Sequence, residues 1–166
     1  LEKSIFLPET NFPEEHSAAT WYYQISENYL CEPVQHYGFY LTPLQNFEKG
    51  KSIFYPQGYS NYFFHPTHPH ELIIVSTENN KVSILNCLSG EIVRTISKGK
   101  EYAFCNIDPV TGNYLFRNSY YALITNENGD ELFRMRSEDT SPYLANNILT
   151  CWAGAAINVE PYLKKP

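Results

Sequence analysis

The order of residues from Tyr62 to Ile96 returns between Phe104 and Met135, and this internal repeat restricts the chain to architectures built from like units. In the first copy, Tyr62-Phe63-Phe64 precedes the Pro/His loop His65-Pro66-Thr67-His68-Pro69-His70. Leu72 to Thr77 follows, then the polar turn Glu78-Asn79-Asn80, the alternating segment Lys81 to Leu85, the turn Ser89-Gly90 and a last alternating segment to Ile96. In the second copy, Phe104 to Ile107 precedes Asp108-Pro109. Asn113 to Phe116, Tyr121 to Ile124, the turn Asn126 to Gly129 and Asp130 to Met135 complete it. Pro66 matches Pro109 and Gly90 matches Gly129, at offsets of 43 and 39 residues, so the second copy is shorter between its landmarks. Alternating short segments joined by tight polar turns predict antiparallel meanders. A period of about 40 residues with four strands per unit is that of a propeller blade.

The segment from Phe64-His65-Pro66 to Ile96 resembles a WD40 repeat, and Ile107 to Met135 resembles it more loosely. The resemblance implies an all-β fold of four-stranded antiparallel meanders, a whole or partial propeller with little helix, and a scaffold that binds other proteins. Leu85-Asn86 stands where that family has Trp-Asp, the opening Gly-His is absent, and Glu78-Asn79-Asn80 replaces the turn with its buried Asp. The family's hydrogen-bonded tetrad therefore does not carry over. At about 40 residues per blade, 166 residues hold roughly four blades, of which two are legible. A piece of a longer propeller, a small β domain reusing the meander, and a β-sandwich with chance spacing all fit that count.

The rest of the chain is read as one β-rich domain spanning 1–166. Residues 1–20 read as an irregular arm broken by Pro8 and Pro13, 53–96 and 98–136 as the blade-like repeats, and 158–166 as a tail. Trp21 to Ile25 and Tyr37 to Leu41 read as strands separated by Pro33. Pro142 to Leu149 has room for a short helix. Within the repeat, Val82 and Ile84 are expected on one buried face, with Ser83 opposite and tolerant of Asp. Adjacent Ile92 and Val93 are expected on opposite faces, one of them in the core.

Composition supports sheet, since the chain holds 14 Tyr, 10 Phe and 2 Trp. Net charge is −6 and the basic residues are scattered, which leaves no positive footprint for nucleic acid and favours a basic protein partner. No apolar run approaches membrane-span length. Cys31, Cys87, Cys105 and Cys151 lie far apart with no C-x-x-C pair, as expected of free thiols in a reducing, cytoplasmic setting. The chain starts at Leu1, as a fragment or processed form would.

No catalytic constellation is present: there is no G-x-S-x-G, no P-loop and no H-E-x-x-H, and no cofactor is implied. The expected role is a non-enzymatic protein-binding module. The rivals are a stand-alone inhibitor of the toxin-immunity kind, small and acidic enough to block a basic enzyme, and a metal-binding protein or enzyme. Tyr22, Tyr59, Tyr62, Tyr120 and Tyr121 are the candidate partner-binding residues, because tyrosine is enriched where interfaces concentrate their energy. His65, His68 and His70, with Glu71 adjoining, are the candidate metal ligands, since imidazole is a common zinc and copper ligand.

Overall fold

A computed structural model describes residues 24–34, 38–45, 53–55, 61–76, 80–137, 141–151 and 154–164. The expected 1–20 arm lies outside them. The described strands run in chain order as β1 Gln24–Ile25, β2 Tyr29–Val34, β3 Gly38–Pro43 and β4 Ile53–Tyr55. Then come β5 Asn61–Phe64, β6 Glu71–Val75, β7 Val82–Asn86 and β8 Glu91–Ile96. The second repeat supplies β9 Ala103–Ile107, β10 Tyr114–Arg117, β11 Tyr121–Thr125 and β12 Glu131–Arg136. Last are β13 Tyr143–Ala145, β14 Ile148–Thr150 and β15 Ala156–Asn158, with a 3-10 helix at Glu160–Tyr162.

These form consecutive antiparallel meanders: β1-β2-β3-β4, β5-β6-β7-β8, β9-β10-β11-β12 and the three-stranded β13-β14-β15. The all-β, meander-built expectation holds, and the described residues form four such units where two were legible. Two boundaries move. Ile53–Tyr55 pairs with β3 and closes the first sheet, so the second sheet starts at Asn61 rather than residue 53. Pro33 does not separate strands but lies inside β2, opposite Phe39.

Two further expectations fail for local reasons. Pro142 to Leu149 is no helix but a hairpin, β13 to β14, turned at Asn146 and Asn147. Both asparagines have positive φ, 49° and 59°, the geometry of the tightest hairpin turn, and asparagine tolerates it better than most residues. The tail from residue 158 is packed: Val159 is fully buried, and the Lys164 N–H donates to the Leu132 carbonyl at 2.9 Å. That carbonyl is free because Leu132 is the extra residue where the β11–β12 register shifts. The matched Gly90 and Gly129 both sit in turns at positive φ, 75° and 85°, where a side chain would be strained.

Neighbouring sheets share their cores. Leu72 and Ile74 of β6 join Tyr29, Cys31, Phe39 and Leu41 of the first sheet. The alternate residues Ile73 and Val75 point the other way, into a cluster with Tyr114, Phe116 and Leu123 of the third sheet. Leu115, Ala122 and Ile124 turn in their turn toward Leu144 and Leu149 of the fourth. A period of two thus sends successive residues of one strand into different cores.

That arrangement overturns one expectation about β7. Val82 and Ile84 do share a buried face, toward the third sheet. Ser83, on the opposite face with Leu85, is not at the surface: it is only 2% exposed, because the first sheet covers it. Ile92 and Val93 correct the reading in the other direction. Both are exposed, at 40% and 47%, because β8 is the outer strand and its register shift leaves Val93 unpaired.

Candidate functional site

The Pro/His loop joins β5 to β6. It is pinned by His65 N–H to the Glu71 carbonyl at 2.9 Å and Glu71 N–H to the His68 carbonyl at 3.0 Å. From the C-terminal side, Cys87 N–H reaches the His70 carbonyl at 2.8 Å. The three histidines do not converge. His70 turns toward the first sheet, its Nδ1 lying 3.3 Å from the Tyr29 hydroxyl. His65 and His68 turn toward the third sheet and stack on each other, ring centroids 4.3 Å apart. The third potential ligand is Glu71: one donor atom each from His65, His68 and Glu71 lie within 4.8 Å of one another. The sequence places Glu71 beside the histidines; only the fold shows that it replaces His70.

His65 is 4% exposed and meets Tyr114 edge-on at 6.0 Å. Its Nδ1 faces the Thr67 hydroxyl at 3.2 Å and the Thr67 N–H at 3.3 Å, while Nε2 is buried without a hydrogen-bond partner. Burial, with His68 and Arg94 nearby, lowers its pKa to about 4, so the ring is neutral near pH 7. Gly112 of the next sheet lies against the loop. A Cβ there would come within 3.0 Å of the Thr67 hydroxyl and 3.6 Å of His65 Cε1.

Arg94 of β8 ties the cluster together, with Nη2 2.7 Å from Glu71 Oε2 and Nη1 3.2 Å from Glu127 Oε2. His68 lies between the same carboxylates, Nδ1 at 3.2 Å from Glu71 and Nε2 at 3.9 Å from Glu127. The Tyr114 hydroxyl is buried and unpartnered. Burial raises its pKa, and the charges of Arg94, Glu71 and Glu127 also reach it.

The repeat explains where this cluster sits. Asp108, the residue matching His65, occupies the corresponding loop of the third sheet. Its carboxylate accepts N–H groups from Val110 at 2.9 Å and Thr111 at 3.3 Å within its own loop. It also accepts those of Asn146 and Asn147, both at 2.8 Å, from the β13–β14 turn. Burial pushes the pKa up, but the donors from Asn147, Val110, Asn146 and Thr111 outweigh it and hold the carboxyl below its usual range. Each of these two positions therefore leans on the loop of the next sheet.

The candidate tyrosines are scattered. Tyr22 and Tyr59 lie outside the described residues. Tyr62 is 5% exposed, its ring 4.8 Å from Phe39 and its hydroxyl donating to the Gly38 carbonyl at 3.3 Å, so it belongs to the core between the first two sheets. Tyr120 and Tyr121 are both exposed, at 61% and 38%. Tyr120 lies in the β10–β11 turn and Tyr121 opens β11. Asn118 Oδ1 holds that turn, accepting both their N–H groups at 2.8 and 2.7 Å. The Arg134 guanidinium lies 5.8 Å from the Tyr121 ring centroid.

None of the four cysteines is disulfide-bonded. Burial, with a smaller contribution from Glu71, raises the Cys87 pKa to about 12, so that thiol stays protonated and unreactive. No described helix is long and apolar enough to cross a membrane.

No family model and no curated protein matches the chain. Among solved structures it is similar to BamB from Moraxella catarrhalis, at 16% identity over 76% of this chain and 38% of that one, with a TM-score of 0.56. It is also similar to Hsv2 from Kluyveromyces marxianus, at 9% identity over 77% and 42%, TM-score 0.52. Apo AztD from Citrobacter koseri aligns at 11% identity over 66% and 32%, TM-score 0.50. These are β-propeller proteins, and at such identities the likeness is one of fold. The chain spans between 32% and 42% of the length of each of them.

Proposed function

We propose that this chain is a non-catalytic, protein-binding β module of propeller type, and that Tyr120 and Tyr121 form part of its binding face. The observation that carries the reading is the β10–β11 turn. Two exposed tyrosines are held there on a side-chain-capped turn, with an arginine against one ring. Rigid aromatics and arginine are the residue types that concentrate binding energy at protein interfaces. The WD40-like order of residues 62–136 supports the same role, because such repeats present loops on a stiff stack of sheets. The net charge of −6 supports a basic partner.

A photo-crosslinking residue at Tyr120, introduced in the cells of origin, tests this. One protein adduct is expected at that position and none at Tyr162, which is also exposed but lies by the opposite, Asn147 end of the fourth sheet. With the captured partner, Tyr121→Ala should weaken binding by about 1–2 kcal/mol. The same adducts from both positions, or unchanged affinity of the alanine variant, would reject this face.

A further inference from the structure

We propose that His65, His68 and Glu71 form a binding site for one divalent transition-metal ion of the zinc class. The proposal does not depend on the protein-binding face, which lies at the other end of the sheets. It rests on two independent features of the cluster.

The first is polar accounting around His65. With Nδ1–H donated to the Thr67 hydroxyl, Nε2 carries a lone pair that no donor meets. With Nδ1 accepting from the Thr67 N–H, Nε2 carries a proton that no acceptor meets. Either tautomer leaves Nε2 unmatched on a ring that is 4% exposed, which is costly unless something binds there. A metal ion resolves this through the first tautomer. Thr67 then supplies the outer hydrogen bond that histidine ligands characteristically make.

The second is charge. Glu71 and Glu127 both face Arg94, so two carboxylates meet one guanidinium. The excess is negative, and a cation balances it. Glu71 Oε2 meets both the Arg94 guanidinium and His68 Nδ1, so this carboxylate sits between the cation and the histidine. His68 Nδ1 lies 3.2 Å from Glu71 without forming a hydrogen bond to it, so that nitrogen is not committed. Ligand atoms around one zinc ion stand roughly 3.3–3.6 Å apart. Closing in from 4.8 Å requires the His68 ring to swing out of its stack on His65 so that the two in-plane lone pairs converge, and the His68 side chain, 41% exposed, has room to do so. Two imidazoles and a carboxylate suit zinc and its borderline neighbours better than calcium or magnesium, which prefer all-oxygen sites.

Chelator-treated protein titrated with zinc chloride in a calorimeter should bind about one equivalent. Cobalt(II) should give the visible absorption of a tetrahedral nitrogen–oxygen site, and zinc should bleach it. His68→Ala should lower zinc affinity at least tenfold while leaving the metal-free melting temperature within about 2 °C. His70→Ala, whose ring faces the first sheet, should bind zinc as the wild type does. Should His65→Gln fail to fold, the His68 and His70 variants still decide the matter. Absence of stoichiometric zinc binding by the wild type, or equal affinity in the His68→Ala variant, overturns the site.

Discussion

Asp108→Ala is expected to destabilise the protein by about 3–5 kcal/mol, because it strips a buried carboxylate from four backbone N–H groups at once. Two of those donors belong to its own loop and two to the β13–β14 turn, so the substitution unpins the third sheet from the fourth. On a chain of this size the melting temperature should fall by roughly 10 °C or more. Asp108→Asn should cost less but still over about 1.5 kcal/mol, since the amide NH2 that replaces Oδ2 faces the Asn147 N–H donor and the charge is lost. The pH dependence follows from the lowered pKa. A group whose folded pKa is depressed contributes stability above its unfolded value, near pH 4, and loses it as pH falls toward the folded value. Wild-type stability should therefore drop below about pH 4, with a shallower acid limb in Asp108→Asn. Urea melts between neutral pH and pH 2.5 check both points. A variant within about 0.5 kcal/mol of the wild type at pH 7 would show that Asp108 does not join the sheets.

The second large effect falls on β7. Ile84→Asp places a charge in the cluster between the second and third sheets, where Ile84 is fully buried. Ser83→Asp does the same toward the first sheet, where Ser83 is 2% exposed. Both should cost more than about 3 kcal/mol, since a buried carboxylate without a partner keeps little of its hydration. On the outer strand, Ile92→Asp and Val93→Asp should each cost under about 1 kcal/mol. Chemical denaturation of the four variants reads this directly. A tolerated Ser83→Asp would mean that the first sheet does not pack on the second as described.

The candidate site was half legible. His65 and His68 stand out in sequence because a Pro/His loop is rare, and Glu71 adjoins them. Arg94 and Glu127 are 23 and 56 residues beyond Glu71 and carry no local signal; the stacking of two sheets brings them in. His70 looks equivalent to its neighbours, yet the loop turns it toward Tyr29 on the far side. Tyr62 qualifies as a binding tyrosine in the sequence by its residue type and its place on a predicted strand. No feature of Asn61-Tyr62-Phe63 reveals that the first sheet arrives to cover it. Asp108 was recognisable only as the residue before the matched Pro109. Its four donors come from two loops, and a pairing of that kind leaves no spacing rule.

By itself the sequence determined the quantities that local chemistry controls. Alternation, turn residues and the repeat set the strands from Asn61 to Arg136, their antiparallel order and the positive-φ glycines of their turns. Only the tertiary structure decided which faces are surface. Alternation shows that Ser83 and Ile84 point opposite ways. It does not show that another sheet waits on each side, because burial depends on what packs from outside the strand. The fourth sheet stayed hidden for a related reason. Its hairpin strands are three residues long, too short for a period, and Asp108 and Asn106 of the neighbouring sheet help to hold them.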